Sequence, residues 1–231
     1  MKRTWIATTI AALVLAGSAS SKDKPPEAVK RIEEARVVFN EIMTAGDKSI
    51  PLELFEKAHC VAIIPGLKKG GFLVGAKYGK GVLMCRRPGG GWTGPGTVRV
   101  EGGSVGLQIG GGEVDVVLLV MNERGAEKML KSEFTIGGSA AAMAGPVGRS
   151  VQAETDAYMQ AEILGYSRSR GVFAGLALEG STLREDSSDN EAVYGKRLSN
   201  EEILAGRKAP VPAAARPLVV TLNRYSMWEK K

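Results

Sequence analysis

The residue types in this 231-residue chain that could do covalent or metal chemistry are few. His59 is the single histidine, and Cys60 and Cys85 are the two cysteines. As neighbours on an extended segment, His59 and Cys60 project to opposite faces, so they cannot form a thiolate–imidazole dyad. Nothing in the spacing supports a pairing of His59 with Cys85. One histidine also falls short of the three or four ligands of a zinc site. The carboxylate pairs Glu113/Asp115 and Glu154/Asp156 share strand parity, which suits a solvent-facing row at least as well as acid–base work. No serine stands in a nucleophile elbow. The chain is read as non-enzymatic, without catalytic residues, metal or cofactor.

Glycine is abundant enough to ask about nucleotides. Gly89-Gly90-Gly91-Trp92-Thr93-Gly94 satisfies G-x-G-x-x-G, but the fingerprint must open a helix, and here Pro95-Gly96 and a strand-like run follow. Gly75 to Gly81 has three residues between the first two glycines, where a phosphate loop has four. Gly81 also stands where that loop needs a hydroxyl. Neither motif is in its required context.

What remains is charge. The formal net charge is +6, and no acidic residue lies between Glu56 and Glu101. Lys68, Lys69, Lys77, Lys80, Arg86, Arg87 and Arg99 stand in that interval, most of them beside glycine turns. This predicts that several cations collect at strand ends or at one sheet rim. Lysines and arginines near an anionic membrane contribute about 1 kcal/mol each, so four or five together hold a soluble domain reversibly on a surface. Trp92 is the expected interfacial aromatic. A solvated sheet face balanced by acids elsewhere fits the same run equally well. The run lacks the aromatic spacing of a base-stacking platform, so nucleic acid is excluded as a partner.

The elements that must position these residues follow from periodicity. Lys2 and Arg3, then an apolar run from Trp5 to Ala16 and small residues at 17–20, predict a signal peptide over 1–20 and hence an exported protein, periplasmic or secreted. A single domain is expected over 21–208, followed by a Pro/Ala linker and tail over 209–231. Val29, Ile32, Ala35, Phe39, Ile42 and Met43 predict a helix over 27–44 whose apolar face is core. A short helix over 51–57 follows. Strands are expected at 60–64, 72–78, 82–86, 97–100, 105–109 and 114–121, separated by glycine turns and paired antiparallel. A helix over 122–131, strands at 157–167 and 172–179, and helices near 191–194 and 199–205 complete the reading. Ser199 and Glu202 have the spacing of a capping box. The small-residue tract 137–148 is expected to pack closely on another backbone. The fold class is α+β: one domain with an antiparallel, barrel-like sheet and N-terminal, central and C-terminal helices. Cys60 and Cys85 lie in strand-like runs, where a disulfide and two buried thiols are equally open.

Several segments resemble the SYLF domain family, in family order. They are Ala62 to Phe72 with Gly79-Lys80-Gly81, Trp92 with Gly94-Pro95, Gly106 to Gly110, and Ala144 to Arg149. The most specific is Tyr166-Ser167-Arg168-Ser169-Arg170-Gly171-Val172-Phe173-Ala174-Gly175, followed by Asn190 and Tyr194-Gly195. The resemblance implies a lipid-binding module without catalytic residues, whose eukaryotic relatives bind phosphoinositides and act in actin-patch and membrane-ruffle assembly. The expected partner is an anionic phospholipid surface met peripherally through Lys68, Lys69, Lys77, Lys80, Arg86, Arg87, Arg149, Arg168 and Arg170. The alternative is a protein-interaction or scaffold module of the cell envelope. An export signal, no SH3 or FYVE partner domain and no lysine-rich leading helix set this chain apart from the eukaryotic members.

Overall fold

The computed structural model describes residues 25–72, 74–105, 110–131, 133–137, 142–147, 161–169, 172–174, 178, 180–205 and 209–226. The expected signal segment, Arg149, Arg170, Glu154 and Asp156 lie outside the described residues.

Helix α1 (Glu27–Met43) forms where the 3.6-residue spacing requires it, burying Ile32, Ala35, Phe39 and Ile42. Helix α2 (Leu52–Lys57) follows Pro51, whose missing N–H costs nothing before a first turn. Four long strands come next: β1 (Cys60–Phe72), β2 (Val74–Cys85), β3 (Gly96–Val105) and β4 (Gly110–Val120). Helix α3 (Glu123–Met129), capped by the Asn122 side chain accepting from the Gly125 N–H, leads to β5 (Glu133–Thr135) and β6 (Ala142–Ala144). Then come β7 (Ile163–Ser169), β8 (Val172–Ala174), β9 (Ser181–Glu185), α4 (Ser187–Tyr194), α5 (Asn200–Leu204) and α6 (Arg216–Ser226). The strands make one curled, half-barrel sheet in the order β5-β9-β3-β2-β1-β4-β7-β6, with β8 on β7, antiparallel except for β6 beside β7. The expected α+β architecture with helices at both ends and in the middle is the one observed.

The sheet separates two cores. On one face α1, α2 and α6 cover Val61, Ile63, Val82, Met84, Val117 and Leu119. On the inner, curled face Cys60, Ala62, Ile64, Leu67, Leu83, Val116 and Leu118 pack with Phe134, Ile203 and Leu204. Cys60 and Cys85 face each other across β1 and β2 and are joined as a disulfide, with Cα atoms 4.0 Å apart.

Two expectations need correction. The glycine clusters at 66–71 and 75–81 do not separate short strands but run inside long ones. Gly79 and Gly81 are needed because β1 bends against them: a Cβ on Gly81 would lie 2.2 Å from the Ile63 carbonyl oxygen. The bend is a bulge. From Ile63 to Lys68 β1 advances five residues while β2 advances four, from Val82 to Tyr78, with Gly66 at φ +56°. The second correction concerns the tail. Residues 209–226 are part of the packed domain, since Leu218 and Leu222 of α6 are fully buried against α1 and α2. The proline-rich start of that segment hid its helix. At Gly145 the expected close approach holds, because a Cβ there would collide with the Tyr166 ring.

Candidate functional site

The bulge decides where the basic run goes. One extra residue on β1 inverts side-chain parity beyond it, so a face that carries Ile63 before the bulge carries Lys68 after it. Lys69 and Lys77 are register partners and share the inner face with Leu67. Lys68 lies opposite Tyr78 on the helix-side face, where Glu113 of β4 approaches its ammonium to 3.7 Å, both side chains well exposed.

Across β3, β2, β1 and β4 the ladder reads in rows. Glu101, Tyr78, Lys68 and Glu113 form one row; Gly102, Lys77, Lys69 and Gly112 form the next. Gly103, Ala76, Gly70 and Gly111 then follow, and after them Ser104, Gly75, Gly71 and Gly110. Two lysines therefore face each other on a sheet floored by glycine. The Lys69 stem lies over β4, its Cε 3.9 Å from where a Gly112 Cβ would be. Burial pushes the Lys77 ammonium down from its ordinary value, and the facing Lys69 charge pushes it further the same way. A like-charge pair in register disfavours its own charge and favours an arriving anion. The glycines contribute flatness rather than an anion nest, because their backbone belongs to the ladders.

The other expected site residues are engaged elsewhere. Lys80 makes ion pairs with Asp186 at 2.6 Å and Asp189 at 3.2 Å, and Asp189 also accepts from Arg31 at 2.6 Å. Burial opposes the Lys80 charge, but the two carboxylates outweigh it and raise its pKa. Arg168 bonds Asp115 at 3.0 Å and also Glu41 of α1. Arg99 is 3.2 Å from Glu101. Arg86 donates to the carbonyls of Phe55 and Ala58, each at 2.8 Å, with its guanidinium 4.6 Å from the Trp92 ring centroid. Arg86 and Arg87 follow the far end of β2, about 30 Å along the strand from Lys77 at roughly 3.3 Å per residue. Arg87 neighbours Tyr194 there, a phenol whose pKa burial raises.

Trp92 is not an interfacial aromatic. It is 1% exposed, stacked on Phe55 at 5.4 Å, and donates from Nε1 to Ser226 Oγ at 3.0 Å. Its glycine-rich neighbourhood suggested exposure, whereas the indole needed both a ring partner and a hydroxyl brought by the last helix. With both cysteines in the disulfide, no thiolate remains to serve His59. Among the described residues no group of three His, Cys, Asp or Glu is arranged to hold a metal ion.

The family model Ysc84, described as "Las17-binding protein actin regulator", matches residues 101–225. SH3 domain-containing YSC84-like protein 1 of Homo sapiens is 33% identical over 208 residues, covering 89% of this chain and 59% of that protein. Protein YSC84 of Saccharomyces cerevisiae is 35% identical over 182 residues, 77% of this chain and 38% of that protein. LAS seventeen-binding protein 3 of the same yeast is 37% identical over 172 residues, 72% of this chain and 37% of that protein. This chain thus spans little more than half of the human relative and under half of the yeast ones.

Proposed function

This chain belongs to the Ysc84 (SYLF) family, and on that footing we propose that it is a non-enzymatic module that binds anionic phospholipid surfaces through the far end of its central sheet. The observation that carries the reading is Lys69 set opposite Lys77 on a glycine-floored ladder, with Lys68 on the adjoining row. At about 1 kcal/mol per cation near an anionic surface, three lysines supply about 3 kcal/mol, roughly a hundredfold preference for charged over neutral bilayers. Glu113 offsets part of the Lys68 contribution. Such binding is reversible and falls as salt shortens the Debye length. An exported, peripheral placement belongs to the same proposal: the leader-like sequence at 1–20 and the Cys60–Cys85 disulfide both suit an oxidising compartment.

Co-sedimentation with vesicles of neutral and of anionic phospholipid, across a salt series, tests it. The expected result is binding to anionic vesicles alone, weakening with salt, and lost in the double variant Lys69→Glu/Lys77→Glu. Arg86→Lys should bind as the unaltered protein does, because Arg86 is committed to two carbonyls at the other end of β2. Equal binding by the double variant would remove these lysines from the site. The printed names of the yeast relatives and of the family favour a second reading, in which the module holds a protein partner. Salt-independent or absent vesicle binding is its signature.

A further inference from the structure

The sheet end beyond the lysines has a composition of its own. From Gly70 to Ala76, and from Gly102 to Gly112, the sequence contains no charged residue. These stretches are the touching ends of β1 and β2 and of β3 and β4, so four adjacent strands lose all charge past the Lys69–Lys77 row. The register then places Phe72 opposite Val74, and Val74 opposite Val105. Three apolar residues on three neighbouring strands thus lie in one row at the extremity of the sheet. Phe72 is three residues beyond Lys69, about 10 Å at roughly 3.3 Å per residue.

We propose that this extremity enters the bilayer end-on: the row Phe72–Val74–Val105 sits at the headgroup–acyl boundary while Lys69 and Lys77 form a collar at the phosphates. The spacing is the argument. Interfacial segments bury their apolar part by about 5–10 Å, and phosphate-seeking cations must stay at the headgroup level. A collar about 10 Å behind an apolar row meets both conditions only if the strands stand steeply to the membrane. The glycine rows between collar and tip keep the entering end slim and add no charge to desolvate. Lying flat would instead bring Glu101 and Glu113, or the Asp115–Arg168–Glu41 cluster, against the anionic surface. The occupant is a bilayer, chosen over a second copy of the chain because two such ends would oppose two lysine pairs.

This inference rests on the phospholipid reading, and the experiment separates the two. Phe72→Trp is made in the full chain and mixed with anionic vesicles carrying bromine at shallow or at deep acyl positions. Shallow bromine is expected to quench the introduced tryptophan several-fold more than deep bromine, with emission shifted to the blue. The unaltered protein, with its buried Trp92, supplies the background signal. The double variant Phe72→Asp/Val74→Asp, with both lysines kept, is expected to bind the same vesicles about tenfold more weakly. Circular dichroism and the thermal midpoint of each variant report on folding. Suppose the unaltered protein binds anionic vesicles, yet the introduced tryptophan is unquenched and the double variant binds normally. Insertion is then overturned and the lysine surface stands. If the unaltered protein binds no anionic vesicles, both fall. Concentration-dependent dimerisation without lipid, abolished by the two aspartate substitutions, would overturn it in favour of a self-association surface.

Discussion

At the scale of single residues, the buried carboxylate of Asp186 carries more than one task. It caps α4 by accepting from the Asp189 N–H at 3.2 Å, accepts from Ser188 Oγ at 2.7 Å and pairs with Lys80 at 2.6 Å. Burial alone would raise its pKa, but Lys80 and the two local donors more than compensate and hold it below the ordinary 3.8. The folded state therefore prefers the ionised form. Its stabilisation is complete above the unfolded value of 3.8 and is lost as pH falls through the lower folded value. Urea midpoints measured from neutral pH down to about pH 2 should fall steeply below about pH 4. Asp186→Asn should be less stable at neutral pH and show a shallower acid limb. An acid limb as steep as that of the unaltered protein would remove Asp186 from the account. The same pair explains why Lys80 is absent from the candidate surface: its partners are more than a hundred residues away, beyond anything a local charge run reveals.

At the scale of elements, the β1 bulge is the feature on which the site depends. It brings β1 over Gly79 and Gly81 so closely that side chains are excluded there. Gly81→Val should destabilise the protein by about 3 kcal/mol or more, because the Ile63 carbonyl cannot yield as a side-chain end can. Gly89→Ala, with open space around it, should leave the unfolding midpoint unchanged. Equal midpoints for the two would show that the bend can relax. Much of the element content was legible: α1 from its 3.6-residue stripe, α2 after its proline, and α5 from the Ser199–Glu202 box, which is present in full. The long strands were not, because glycine was read as a turn former where its role is close approach. The lysine pairing was not legible either. Whether Lys69 or Lys68 shares a face with Lys77 depends on one inserted residue, and nothing in the local composition marks it. Trp92 failed for a related reason, since its hydroxyl partner is 134 positions along the chain.

At the scale of the whole molecule, the position of the domain boundary follows from what α6 covers. Tyr225 meets Phe39 edge-on at 5.8 Å and donates to Asn40 Oδ1 at 3.3 Å, while Ser226 accepts from Trp92. Leu218 and Leu222 close the same core over α2. Two fully buried leucines are worth about 3–6 kcal/mol by transfer, against a total stability of about 5–15 kcal/mol for a domain. A chain ending at residue 208, where composition alone places the end of the domain, should therefore be marginal or unfolded at room temperature. Urea titration followed by tryptophan fluorescence checks this directly, because Trp92 would lose its cover and its Ser226 acceptor together. The truncated chain should show red-shifted emission before urea is added, or a midpoint reduced by more than half. An unchanged midpoint would mean that α6 merely rests on a core already complete without it. The match of the family model through residue 225 argues the other way, since it runs to the next-to-last residue of α6. The core is thus closed at the pole where α6 covers Trp92, and the lysine-collared sheet end stands at the other, where a surface can be met without opening that core.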